Sequence, residues 1–301
     1  MRGKSGEPAD APERHRSNQR PRAVCSGAKL GRFVRSSAGA RICSARGRPR
    51  ESSTAQGATI EDRARRQLIV ALDFSRLSEA IRFIRKLKGR AGLAKIGSQL
   101  FTAEGPAAVE RVARLVPGIF LDLKFCDIPN TVAGAVSAAA RLPKVRMLTL
   151  HTTGGLEMMR AAKDALRGMK NGPKLLGVTI LTSLDDLALE RIGLAGPVES
   201  RVVALARLAQ KAGIDGIVAS AREIEAVRKA IGSEMLIVVP GVRPGTSDGS
   251  VKADDQARVA TPRSAIRAGA DYLVVGRPIT AAPDPVKAAD AILLEMRSAR
   301  K

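Results

Sequence analysis

The chain has 301 residues, too many for one small module and about right for one large α/β domain or two ordinary ones. Its residues are 45% hydrophobic but only 2% aromatic with no Trp, so a sizeable core of Ala, Val, Leu and Ile is expected and aromatic platforms for nucleic acid are not. Fifty-one Lys and Arg against 29 Asp and Glu give +22, which suggests an anionic partner; the longest run without a charged residue is the thirteen from Ile128 to Ala140, too short to span a membrane.

The charge is densest at the start. Residues 1–66 hold 16 basic and 6 acidic residues, a net of +10, which leaves +12 over the other 235. This stretch is rich in Arg, Gly, Ser and Pro and has no helical or strand period, so it reads as a disordered basic N-terminal extension. It lacks the continuous apolar stretch of a secretory signal. An organelle-targeting segment fits its Arg and Ser but not its Pro and Gly, and a translation start placed too far upstream fits its composition equally well. Cys25, Cys43 and Cys126 are an odd number without metal-ligand spacing, which suits a reducing compartment and a cytoplasmic location.

From Gln67 the texture changes, and residues 67–301 read as one domain of repeated βα units. Eight apolar runs predict strands at 68–72, 93–96, 119–123, 145–150, 175–181, 216–219, 235–239 and 272–275. Helices are expected between and after them, at 76–88, 105–115, 130–141, 155–170, 197–212, 221–231, 262–268 and 284–298. This count matches a TIM (β/α)8 barrel of the α/β class, with a doubly wound open sheet as the rival. The run ends favour the barrel. Asp73, Lys95, Asp122 with Lys124, His151, Thr182 with Ser183, Ser220, Arg243, and Gly276 with Arg277 each follow or end an apolar run, and in a barrel all such ends face one mouth.

The densest constellation is Asp122-Leu123-Lys124 with Asp127 just beyond it. Residues two apart on a strand project to one face, so Asp122 and Lys124 are expected to meet inside the rim, with Lys95 beside them on the neighbouring strand. Burying such groups is costly unless a ligand uses them. Gly276 and Arg277 follow the last run, where barrels often hold a phosphate, and Arg243 follows the seventh, so a dianion is expected there. His151 reads as a structural residue and Cys126 as packing. There is no phosphate-binding P-loop, no GxGxxG and no HExxH, so nothing calls for ATP, NAD or zinc.

Taken in order, Val70-Ala71-Leu72-Asp73, Lys95-Ile96-Gly97, Asp122-Leu123-Lys124 with Asp127-Ile128-Pro129-Asn130-Thr131, Pro240-Gly241-Val242-Arg243-Pro244 and Val275-Gly276-Arg277-Pro278-Ile279 resemble the orotidine 5'-phosphate decarboxylase family in its bacterial form. The resemblance implies a homodimeric TIM barrel with shared active sites that converts orotidine 5'-monophosphate to uridine 5'-monophosphate, the last step of de novo UMP synthesis, with neither metal nor organic cofactor. By position, Lys124 resembles the proton donor to C6, and Lys95, Asp122 and Asp127 the rest of an alternating charge array, Asp127 reaching into the partner's site. Substrate contacts implied are Asp73 and Lys95 to the ribose, Thr182 and Ser183 to the pyrimidine, and Arg243, Gln256, Gly276 and Arg277 to the phosphate. Asp122, Ile128, Thr131 and Pro240 complete the set, and Gln256 falls on a loop that closes over the ligand. Sugar-phosphate decarboxylases and hexulose-phosphate synthases of the same superfamily keep Asp-x-Lys-x-x-Asp but use Mg²⁺, and Ile128 to Thr131 with Thr182-Ser183 favour the nucleotide enzyme. A different reading makes the basic arm an RNA or membrane-surface binder, an addition to the barrel and not a replacement.

Overall fold

The computed structural model describes residues 59–245 and 260–299; the extension up to residue 58, Cys25, Cys43 and Gln256 lie outside the described residues. Among the described residues the first element is helix α1 (Ile60–Gln67), which lies in the stretch expected to lack any helical period. Thr59 and Asp62 form a capping box: Asp62 N donates to Thr59 Oγ1 at 3.1 Å and Thr59 N to Asp62 Oδ2 at 3.3 Å. The helix hides from a search for apolar period because Ala64 is its one buried residue. The Thr-x-x-Asp spacing just before an apolar run was the available signal.

Eight parallel strands close into a barrel in chain order: β1 (Leu68–Ala71), β2 (Leu93–Gly97), β3 (Ile119–Phe125), β4 (Val145–His151), β5 (Lys174–Val178), β6 (Gly216–Val218), β7 (Leu236–Val239) and β8 (Tyr272–Val275), with β8 pairing back to β1. Outside them run α2 (Leu77–Lys86), α3 (Ser98–Glu104), α4 (Pro106–Ala113), α5 (Pro129–Ala140), α6 (Gly155–Asp164) after a 3-10 turn at Thr152–Gly154, α7 (Asp186–Arg191), α8 (Val198–Lys211), α9 (Ile224–Ile231), α10 (Pro262–Arg267), α11 (Arg277–Thr280) and α12 (Pro285–Ser298). The TIM-barrel expectation holds and the open-sheet rival does not. α3, α7 and α11 have no counterpart among the expected helices; at seven, six and four residues they are too short to display an apolar stripe. β5 stops at Val178, three residues early, while β3 continues two residues beyond its apolar run.

The period of two separates two cores. Leu68, Val70, Ala94, Ile96, Ile119, Leu121, Leu148 and Leu150 point outward and pack beneath the helices. Ile69, Ala71, Leu93, Phe120, Met147, Leu176, Val238 and Val274 fill the barrel interior. The interior plug is apolar at its lower layers, which leaves only the upper, C-terminal strand ends to carry polar groups. No helix among the described residues is long and apolar enough to cross a membrane.

Candidate active site

Continuing the inward series upward predicts the site. Ile69 and Ala71 lead to Asp73, Leu93 to Lys95, Phe120 to Asp122, and Met147 to Thr149. The side chains meet as expected. Lys95 Nζ donates to Asp73 Oδ1 at 2.9 Å and lies 3.7 Å from Asp122 Oδ2, and Lys124 Nζ lies 2.9 Å from both Asp122 oxygens. Carboxylate and ammonium thus alternate across β1, β2 and β3. Asp122 is the most enclosed member at 9% exposure, and two cations beside it offset the loss of solvent. A Cβ at Gly97 would stand 3.0 Å from Lys95 Nζ, so a larger residue there would push the ammonium by a few tenths of an ångström.

The simple pleat does not account for Lys124. Pairing of β3 with β4 slips between Leu121 and Phe125, and Lys124 has a φ of +51°, a conformation unfavourable for residues with a Cβ. The distorted backbone still turns the ammonium to Asp122. Such strain concentrates at functional sites because the surrounding structure must hold it.

A cavity of about 300 Å³ opens at this end of the barrel. The charged array forms one wall, apolar groups from Phe120, Val178, Ile180, Val218 and Val274 form the floor, and Thr182, Pro240, Arg243, Gly276 and Arg277 complete the rim. Among the described lining residues Asp73, Lys95, Asp122 and Lys124 sum to zero charge, and Arg243 and Arg277 place two guanidiniums on the β7–β8 side. α11 begins at Arg277, directly after Gly276. A neutral zwitterionic wall facing a doubly cationic one suits an elongated ligand with a dianion at one end.

Other expected residues lie elsewhere. Ser183 is exposed in the turn after β5 and does not line the cavity. Ser220 is buried, and its Oγ accepts from Arg222 N at 3.3 Å. Asp127, Ile128 and Thr131 are exposed outside the cavity of their own chain; Asp127 Oδ1 accepts from Ile128 N at 2.6 Å, which ties the carboxylate to the start of α5. Thr149 was not anticipated: it is buried and touches the array, and its only trace in the sequence is a Thr inside the run Leu148-Thr149-Leu150. His151 ends β4 half-buried. Burial first, and the Lys124 cation second, hold its imidazole below the usual histidine range, so it is neutral at pH 7.

Comparison with known proteins agrees with this geometry. Residues 66–292 match the profile described as "Orotidine 5'-phosphate decarboxylase / HUMPS family". The chain is 54% identical over 226 residues to the orotidine 5'-phosphate decarboxylase of Anaeromyxobacter dehalogenans, covering 75% of this chain and 96% of that one. It is 49% identical over 238 residues to the enzyme of that name from Trichlorobacter lovleyi, covering 78% and 97%. A crystal structure of orotidine 5'-phosphate decarboxylase from Lactobacillus acidophilus superposes with a TM-score of 0.66 at 35% identity, covering 76% and 98%. Likeness in sequence and in backbone converges on the segment that builds the barrel, and the chain belongs to the orotidine 5'-phosphate decarboxylase / HUMPS family.

Proposed function

We propose that this protein is an orotidine-5'-phosphate decarboxylase, releasing CO₂ from orotidine 5'-monophosphate to form uridine 5'-monophosphate in pyrimidine biosynthesis. The carrying observation is the Asp73–Lys95–Asp122–Lys124 array facing Arg243 and Arg277 across one cavity. Cleavage of the C6–carboxylate bond leaves its electron pair on a vinylic carbon with no carbonyl placed to delocalise it, so the protein must supply the stabilisation electrostatically. The Lys124 ammonium does this and then transfers a proton from Nζ to C6, forming the new C–H bond; the neutral amine regains its proton from water. Asp122 holds that ammonium in place. Asp73 and Lys95 bind the ribose hydroxyls, Thr182 the pyrimidine edge, and Arg243, Gly276 and Arg277 the phosphate, whose remote binding energy can organise the site.

The test is loss of the substrate's absorbance on mixing with the purified full chain in the presence of a chelator. Turnover that survives chelation supports the reading. No turnover with or without Mg²⁺ overturns it, and turnover only with Mg²⁺ moves the chain toward the metal-using side of the family.

The same reading includes a homodimer in which Asp127 completes the partner's site. Its support is the exposed stretch from Cys126 to Thr131, where Ile128 is 67% exposed. Mixing Lys124→Ala and Asp127→Ala subunits, each inactive, should restore about a quarter of wild-type activity in a two-fold dimer. Confirmed mixed dimers without recovery would place Asp127 in its own chain's service. A cytoplasmic location fits the exposed free thiol of Cys126, which suits a reducing compartment.

A further inference from the structure

Among the described residues three threonines are buried, and two of them serve the main chain. Thr152 Oγ1 donates to Val178 O at 2.9 Å and Thr179 Oγ1 to Val218 O at 3.0 Å. The third, Thr149, has no exposed surface and is used differently: its hydroxyl accepts from Lys124 N at 2.9 Å and donates to Asp122 Oδ1 at 2.9 Å. A single hydroxyl has one proton to give and lone pairs to receive, so both bonds form together. They land on Asp122 and Lys124, both within the stretch of β3 from Leu121 to Phe125 over which the pairing with β4 slips. One bond holds the amide of a residue whose φ of +51° is unfavourable, and the other holds one carboxylate oxygen against rotation toward the flanking ammonium groups.

We propose that Thr149 is a positioning residue for the decarboxylation, acting through Lys124 and Asp122 without touching substrate. The inference rests on the function proposed above. Without the hydroxyl, the Lys124 backbone can relax and the carboxylate can turn, so the ammonium no longer stands where charge develops. Misplacement of a reacting group by about 1 Å costs on the order of 100-fold in rate. Substrate binding is affected less, because the phosphate and base contacts come from the ends of other strands.

The experiment compares Thr149→Val, which keeps the shape and removes the hydroxyl, with Thr149→Ser, which keeps the hydroxyl and removes the methyl. In the full chain, Thr149→Val should lower kcat about 30-fold while KM and the affinity for uridine 5'-monophosphate stay within about threefold. Thr149→Ser should return kcat to within about threefold of wild type although its thermal stability falls with the lost methyl. A Val variant with wild-type kcat, a loss confined to KM, or a Ser variant as slow as the Val variant each overturns the inference. Should Thr149→Val fail to fold, Thr149→Ala against Thr149→Ser makes the same comparison. A wild-type chain that does not turn over the nucleotide sinks the function itself, whereas an active wild type with an equally active Val variant sinks only the role of Thr149.

Discussion

Two carboxylates at opposite ends of the barrel have almost the same surroundings and different uses. Asp122, at the upper mouth, and Asp215, at the lower end just before β6, have side chains 12% and 13% exposed, and each sits between two lysines. Lys124 and Lys95 stand 2.9 and 3.7 Å from Asp122; Lys163 and Lys174 stand 2.7 and 3.1 Å from Asp215. The third partner differs. Leu175 N, on the regular backbone of β5, donates to Asp215 at 3.0 Å, whereas Asp122 receives the hydroxyl of Thr149 beneath a residue in a left-handed conformation. At the lower end the ion pairs join α6, β5 and β6 and act as a tie. At the upper end the same chemistry is held under strain and turned toward a cavity whose far side is cationic. Burial, ion pairing and a shared cavity therefore do not mark a site, since Lys163, Lys174 and Asp215 also line one cavity; the strained backbone at Lys124 and the cationic far wall are what differ.

Breaking the upper cluster should have the largest effect. Lys124→Ala should reduce turnover by about 1,000-fold or more, about 4 kcal/mol in the barrier, while retaining affinity for uridine 5'-monophosphate, since Lys95 still neutralises Asp122. Residual turnover above a few per cent in a steady-state assay would place the proton donor elsewhere.

Asp215→Ala should invert that result. It removes a partner from three bonds at once and should cost about 3 kcal/mol of unfolding free energy, with the rate per folded molecule unchanged. Burial alone would raise this carboxyl, but hydrogen bonds from Lys163, Leu175 N and Lys174 outweigh it and hold it below the usual aspartate range. A depressed carboxyl contributes stability above its unfolded pKa and loses it as pH falls through the folded one, so the variant's denaturation midpoint should depend less steeply on pH below about 4. Equal acid sensitivity in wild type and variant would remove Asp215 from the role of tie.

A smaller loss is expected at the same end from removing α1. A chain beginning at residue 67 loses the buried Ala64 and the 3.5 Å approach of Glu61 to Arg297, and should be about 2 kcal/mol less stable than one beginning at residue 59. Identical urea midpoints for the two would show that α1 is dispensable.

The smallest effect is expected from His151→Gln. Because burial and Lys124 depress the imidazole from its ordinary 6.5, the unfolded chain takes up this proton first, and wild-type stability falls as pH drops from about 7 through 6.5 toward the folded pKa. The variant's melting temperature should therefore change less between pH 7 and pH 5.5. A steeper decline in the variant would mean that the imidazole is more basic in the folded protein than in the unfolded one.

The barrel and most of its rim were legible in the sequence because both follow from local period. Alternation at two residues per repeat places Asp73, Lys95 and Asp122 on the inner face, and each apolar run announces where its strand stops. The capping signal of α1 was also present, but a helix with one buried residue shows no stripe. Tertiary structure alone decided the rest. The left-handed turn at Lys124 depends on a hydroxyl 25 residues away on β4, and no one-dimensional pattern records which strand lies alongside. The same holds for Ser183 and Ser220, which end apolar runs like their neighbours yet do not line the cavity, since a strand's direction is local and a loop's exit from the rim is not. Composition and spacing determine which residues are available to a site; closure of the sheet into a ring, which brings β1 beside β8 across the whole length of the domain, determines which of them meet.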